Sequence, residues 1–460
     1  MTETRSPRRD SLHGQWSSRL AFILAVSGSA VGLGNIWRFP YVAGENGGGA
    51  FVLVYLVCVL CIGLPIMMAE ILIGRRGRRN PVDTMGLLGE EEAGTARWRW
   101  VGILGVICGV IILSYYSVIA GWALGYIFES ARGVFVNASV EQVEGVFGSL
   151  IGSPLRAGMW HTIFMSLSVF VVARGVERGL EQAVRVLMPA LIGLMLVLLG
   201  YSMMEGAFDA GVTFLFEPRF EDLTGGSILE AMGQAFFTLS VGMGAIMAYG
   251  AYLPESASIA RTSIAVVIAD TAVALLAALV IFPIVFGNGM DPASGPGLVF
   301  QSLPVAFGQM PGGVIVATIF FVLLTFAAWT SAISLMEPAV AWCMETLDYT
   351  RMRAATLVGF VIWFLGLLSV VSFGPLSDFN FLRGTIFDNF DYLTNNIMLP
   401  LGGLAIVTFA GWVMAQNSTA DEIDPEAGTG YRFWRFAARF LAPVAVVLVL
   451  INALGIFSGG

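Results

Sequence analysis

The sequence predicts an all-α, polytopic membrane protein of about eleven transmembrane helices, arranged as a five-plus-five inverted repeat with discontinuous first and sixth helices. Three observations carry this expectation. Hydrophobic residues make up 57% of the 460-residue chain and charged residues only 12%, with a mean hydropathy of +0.80, more apolar surface than a soluble core could bury. Nearly uncharged windows of about 20 residues recur along the chain, each able to cross a hydrocarbon layer roughly 30 Å thick. Two of those windows, the first and the sixth, are interrupted by glycines at mid-membrane depth.

In chain order the spans are expected at about 17–42, 48–73, 99–130, 158–173, 181–203, 227–252, 259–286, 312–346, 353–373, 386–415 and 436–457. Residues 1–15 then form a cytoplasmic tail, 16–415 a core of two repeats (about 17–203 and 227–415), and 416–460 a cytoplasmic loop with the eleventh helix. The first apolar run continues into Arg38 without a small-residue cleavage site, so the first span is expected to be retained. Three outer loops are long: 131–157, 204–226 and 287–311. The last is rich in Gly and Pro and allows either a folded-back lid or a floppy connection.

Charge placement says more than the net charge of -8. All 24 basic residues are Arg; Arg132, Arg156, Arg219 and Arg383 fall in outer loops and Arg38 within a span, which leaves 19 on one side. The positive-inside rule makes that side cytoplasmic, with the N-terminus on it. An odd number of crossings puts the C-terminus outside, in a multi-pass protein of the cell membrane. Cys58, Cys61, Cys108 and Cys343 lie in apolar spans at spacings that suit neither a disulfide framework nor a zinc site, so they read as small core residues.

Residues 27–35 (SGSAVGLGN) carry Gly28, Gly32 and Gly34, and residues 238–245 (TLSVGMGA) repeat the pattern in the sixth span. Glycine inside a helix costs about 1 kcal/mol relative to Ala, and unsatisfied backbone groups in hydrocarbon cost more. One such stretch could serve close packing, and Gly28 and Gly32 have GxxxG spacing. Two, at places that are equivalent if spans one to five and six to ten are inverted repeats, point to broken helices flanking a transported substrate. Half-helix N-termini would face an anion and unwound carbonyls a cation.

Polar residues at membrane depth are few, and each is a functional candidate: Asn35, Glu70, Tyr116, Gln234, Thr238, Ser240, Asp270, Thr330 and Ser331. Hard oxygens and amides without His or Cys suit an alkali cation rather than a transition metal. Asp270 has no basic residue within eight positions, so it is either charged beside a bound cation or protonated and bonded to another helix. Thr330 either meets an ion or bonds back to its own helix. There is no nucleophile with a base and no clustered His, and GSAVGLGN lies inside a span rather than after a strand, which excludes a phosphate-binding loop. The chain is not expected to be an enzyme or to bind nucleic acid.

Six motifs in order, WSSRLAFILAVSGSAVGLGNIWRFPY, ENGGGAF, PIMMAEILIGR, SYYSVIAGW, QAFFTLSVGMGA and WTSAISLMEP, resemble the sodium-coupled neurotransmitter transporter family in its prokaryotic branch. The resemblance runs from about Trp16 to the eleventh span. It implies sodium-coupled symport of a small neutral, hydrophobic amino acid, aromatic ones included, by alternating access. A proton-coupled or channel-like protein of the same fold, with Asp270 and Glu70 as relays, is the alternative. The implied partners are the amino acid, two sodium ions and the bilayer, with no cofactor and no chloride requirement.

The same resemblance implies the site residues. The first sodium site combines the Ala30 carbonyl with Asn35, Thr238, Asp270 and the substrate carboxylate. The second combines the carbonyls of Gly28, Val31 and Ala327 with the hydroxyls of Thr330 and Ser331. The substrate carboxylate lies near Gly34 and Tyr116, and its ammonium near Ser29, Phe237, Thr238 and Ser240. Ile112, Phe237, Met243 and Leu335 line the side-chain pocket, with Ala30 and Ser331 beside it. Outer gating falls to Tyr116 with Phe237 and Arg38 with Asp391; inner gating falls to Trp16, Tyr252 and Glu345.

The sequence departs from the family pattern in places. His13, with Arg8 and Arg9 nearby, stands where an N-terminal Arg is expected, which leaves the partner of Glu345 open. Asp270 replaces an Asn, and Ala274 replaces an acid one turn further on. Eleven spans are expected where the family pattern has twelve. Asp388, one turn from Asp391, competes with it for Arg38, and Met243 stands where Phe occurs.

Overall fold

The structure, a computed structural model, describes residue 9 and residues 15–292, 297–424 and 428–453. Helices account for nearly all of these, and the strand-like feature among them is an isolated bridge between Phe381 and Gly384. Hydrocarbon offers no water to backbone groups, so each segment must satisfy its own N–H and C=O groups.

The first span is two pieces, α1 (Arg19–Ala30) and α2 (Gly34–Glu45), bent by 52°. Next come α3 (Gly49–Gly77), α4 (Ala96–Ala131), α5 (Pro154–Ala173) and α6 (Val176–Met204). The sixth expected span is again two pieces, α7 (Gly225–Thr238) and α8 (Ala245–Ala251), with 239–244 unwound between them. Then follow α9 (Ile259–Gly287), α10 (Gly313–Leu347), α11 (Arg351–Ser372), α12 (Ile386–Val413) and α13 (Thr429–Ala453). Among the described residues nine helices are long and apolar enough to cross a membrane, or ten with α1 and α2 joined. The expected eleven then depends on α7 and α8 making one crossing.

Local chemistry sets several starts. Ser18 caps α1 by accepting from the Ala21 N–H, and Thr224 and Ser227 form a capping box at α7. The long loops carry helices of their own: Val140–Ile151, Phe208–Phe216 and, after a π-helical turn, Leu303–Gln309. The described part of loop 287–311 is therefore mostly helical. Buried Phe300 anchors it, stacked 5.6 Å from Phe147 and edge-on to Tyr126 at 5.4 Å. All four cysteines are free thiols.

Helices α4 and α10 pack along one another through the centre, bringing Ile112 and Tyr116 to face Ser331 and Leu335. The breaks of α1–α2 and α7–α8 lie against this pair.

Candidate functional site

At the first break, Val31 leaves helical geometry (φ −70°, ψ 105°), and the chain resumes as a π-helical turn over Gly34–Arg38. Gly28, Gly32 and Gly34 take no positive φ; what Gly32 and Gly34 provide is room. A Cβ on Gly32 would lie 2.5 Å from Ser331 Oγ and 2.8 Å from Tyr116 OH, and one on Gly34 would lie 2.9 Å from the Phe237 ring. At the second break Ser240, Gly242 and Gly244 all have positive φ (53°, 94° and 77°), where glycine bears no Cβ penalty. Glu70 of α3 accepts from the Gly242 N–H at 2.5 Å, and Ser240 donates to the Ser29 carbonyl at 3.0 Å, tying the breaks together.

Two oxygen clusters result. In the first, fully buried Asn35, Thr238 and Asp270 meet: the Asn35 amide donates to Asp270 Oδ1 at 2.8 Å and to Thr238 Oγ1 at 3.0 Å. Thr238 in turn donates to Asp270 Oδ2 at 3.0 Å. The Asn35 side-chain oxygen accepts from the Gly32 N–H at 3.0 Å, substituting for a lost helical partner. In the second, Ser331 Oγ lies 3.4, 3.1 and 3.2 Å from the carbonyl oxygens of Gly28, Ser29 and Val31. Thr330 donates back to the Ala327 carbonyl at 2.9 Å. Both readings of Thr330 thus meet at one place, because that carbonyl is itself an expected ligand.

Between the clusters lies a cavity of about 30 Å³. Ala30, Gly34, Ile112, Tyr116, Phe237, Ser240, Met243, Ser331 and Leu335 line it, joined by Gly32, Leu33 and Leu399. Ser29 and Thr238 are not on its wall. The Ser29 hydroxyl turns to Ser334 at 2.7 Å, and Thr238 belongs to the first cluster. Leu399, an apolar residue in an apolar helix, carries no signal that sequence reasoning could have used.

Leu33, Tyr116 and Phe237 also line a second cavity of about 520 Å³, so they separate the two spaces. Arg38, Asp388 and Asp391 border the larger one. The expected Arg38–Asp391 pair is not formed. The Arg38 guanidinium lies 3.7 Å from Glu230 and 4.9 Å from the centre of the Phe237 ring, while Asp391 accepts from Asn395 at 2.6 Å. Two carboxylates border the reach of one long side chain, and here Glu230 on α7 is the one in contact with it while Asp391 remains close enough to attract it. Asp388, the competitor, caps its own helix through Thr385 at 2.8 Å.

Towards the Arg-rich end, buried Trp16 donates from its indole to the Tyr249 carbonyl at 3.2 Å and from its backbone to the Tyr252 carbonyl at 3.0 Å. The Tyr252 hydroxyl donates to Glu337 at 2.8 Å, and Arg351 pairs with the same carboxylate at 2.5 Å. Glu345 accepts from the Asn80 N–H at 2.8 Å. His13 and Arg8 lie outside the described residues, and Arg9 is paired with Glu91. Glu337, Arg351 and Glu230 are members of these ends that the sequence reading missed, although Glu337 stands inside the quoted WTSAISLMEP motif.

Comparison with known proteins places this geometry. The sequence profile of the sodium:neurotransmitter symporter family matches residues 13–142 and 151–458. An uncharacterised sodium-dependent transporter, YhdH, of Bacillus subtilis is 39% identical, covering 96% of this chain and 98% of the relative. Another from Haemophilus influenzae is 32% identical, covering 95% and 98%. The crystal structure of MhsT in complex with L-phenylalanine matches with a TM-score of 0.88 and 42% identity, over 96% of this chain and 99% of that one.

Proposed function

The chain belongs to the sodium:neurotransmitter symporter family, and from that premise we propose that it takes up a neutral, hydrophobic amino acid, aromatic ones included, together with sodium. The observation that carries this reading is the meeting of two broken helices over one cavity, with oxygens on one side and apolar side chains on the other. The phenylalanine bound to the similar MhsT supports the aromatic part.

Ala30, Asn35, Thr238 and Asp270 would hold one sodium ion with the substrate carboxylate. Gly28, Val31, Ala327, Thr330 and Ser331 would hold the other. The ammonium group would meet the Ser240 hydroxyl on the cavity wall, beside Phe237, and Gly34 and Tyr116 would meet the carboxylate. Ion and zwitterion supply each other's countercharge where water screens poorly. A charged side chain would lose hydration against Ile112, Phe237, Met243 and Leu335 with nothing in return. Tyr116 and Phe237 close the cavity from outside, with Arg38 passing between Glu230 and Asp391; Trp16, Tyr252 and Glu345 close it from the cytoplasm. The N-terminus is cytoplasmic and the C-terminus external in the cell membrane. Because Asp270 places a fixed carboxylate at the first ion, no chloride is needed.

Uptake of labelled phenylalanine or leucine into proteoliposomes tests the reading. Accumulation is expected with sodium outside and not with potassium outside. Equal uptake in both would overturn it.

A further inference from the structure

Leu399 opens a question of size, since a cavity of about 30 Å³ cannot take a phenylalanyl or tryptophanyl side chain unless part of its wall yields. The unwound segment 239–244 that carries Met243 is closely fenced. Glu70 of α3 holds the Gly242 N–H at 2.5 Å. Gly105 of α4 is so near that a Cβ there would lie 3.0 Å from the Met243 carbonyl carbon, and a Cβ on Gly244 would lie 3.2 Å from Pro81. On the remaining flank stands α12. A Cβ on Gly242 would overlap the Leu399 carbonyl oxygen, one on Gly402 would overlap the Gly242 carbonyl oxygen, and one on Gly403 would lie 2.6 Å from the Phe236 ring. Leu399 itself reaches the cavity. The π-helical turn Leu393–Met398 just before it, closed by the Leu399 N–H on the Thr394 carbonyl, precedes the turn carrying Leu399, Gly402 and Gly403.

We propose that the 399–403 turn of α12 is the wall that sets the largest side chain this transporter accepts. Gly402 lets the 239–244 segment sit back against α12, and Leu399 limits the space from the cavity side. Close-packed interiors pass on such a displacement instead of absorbing it. A side chain at 402 therefore drives the segment off α12. With α3, α4 and Pro81 on the other flanks, Met243 moves into the cavity. Leu399 is a specificity residue that lines the site, and Gly402 is a positioning residue that acts through Met243.

The inference rests on the amino-acid reading above. Competition by valine, leucine, phenylalanine and tryptophan against labelled leucine, with sodium half-saturation measured in parallel, tests it in the full-length protein, Gly402→Ala and Leu399→Ala. Gly402→Ala is expected to weaken tryptophan and phenylalanine relative to valine by about tenfold, the scale on which a methylene's worth of pocket space discriminates, with sodium half-saturation unmoved. Leu399→Ala is expected to shift the ratio the other way. If Gly402→Ala is not recovered folded, Leu399→Ala decides alone. An unchanged ratio, or a loss uniform across the panel, overturns the wall. If the unsubstituted protein binds none of the panel in sodium, the amino-acid reading fails and the inference falls with it.

Discussion

Between Ala30 and Gly34 the chain leaves its helix without one left-handed residue, whereas between Thr238 and Ala245 it uses three, Ser240, Gly242 and Gly244. The first break is held by side chains: Asn35 takes the Gly32 N–H, and Ser331 gathers the carbonyls of Gly28, Ser29 and Val31. The second is held by backbone conformation and by neighbours that leave it almost no room. A cage of fixed oxygens suits an ion. A glycine-hinged segment in contact with the cavity suits guests of different shape. In the proposed reading, ion ligands come from both breaks, and the hinged second break adds the adaptable part of the cavity wall.

Asp270 touches residues of both breaks, through Asn35 and Thr238, so its loss is expected to have the largest effect. The unsubstituted protein should transport in gluconate, and Asp270→Asn should abolish that transport or make it depend on added chloride. Chloride dependence of the unsubstituted protein, measured by uptake with chloride replaced by gluconate, would contradict this.

Next, Gly242→Ala places a side chain at φ 94° and against the Leu399 carbonyl. Strained backbone of this kind costs about 1–3 kcal/mol, so amino-acid affinity in equilibrium binding should fall by up to about a hundredfold. Gly32→Ala, by contrast, meets only side chains, the Ser331 and Tyr116 hydroxyl oxygens at 2.5 and 2.8 Å and the Ser331 Cβ at 3.3 Å. Displacing Ser331 should raise the sodium half-saturation by about tenfold, the scale of a charge-assisted contact, and leave the order of preferred amino acids intact. If Gly32→Ala reorders the amino acids, the division of labour between the breaks is wrong. The smallest effect is expected from Met243→Phe, a change of a few-fold in the phenylalanine-to-leucine ratio with sodium affinity unaltered, because Met adapts its shape and Phe does not.

Much of this was legible beforehand because glycines and polar groups are costly at membrane depth and stand out against an apolar background. The helical class, both breaks and the candidacy of Asn35, Thr238 and Asp270 follow from that contrast, whereas their grouping into one site follows from the family resemblance. What the glycines do was not legible. Left-handed backbone at Gly242 and close approach at Gly32 leave the same letter in the sequence. Arg38 was assigned to Asp391, yet Glu230 lies nearer, because a long side chain ringed by carboxylates is decided by tertiary geometry alone. Leu399 was invisible for the opposite reason, being one leucine among many. The helix in loop 287–311 was hidden by its Gly and Pro content, while its anchor, Phe300, acts only through rings distant in sequence.

The central claim is that sodium and the amino acid occupy one shared site built from both breaks, so their binding must be linked in both directions. The most direct measurement is the apparent affinity for phenylalanine, by equilibrium binding to the purified protein across a series of sodium concentrations at constant ionic strength. The sodium half-saturation, measured across a series of phenylalanine concentrations, completes it. Each is expected to tighten the other by the same factor, and Asp270→Asn is expected to remove most of that factor. Phenylalanine affinity that stays constant as sodium is replaced by potassium would contradict the account.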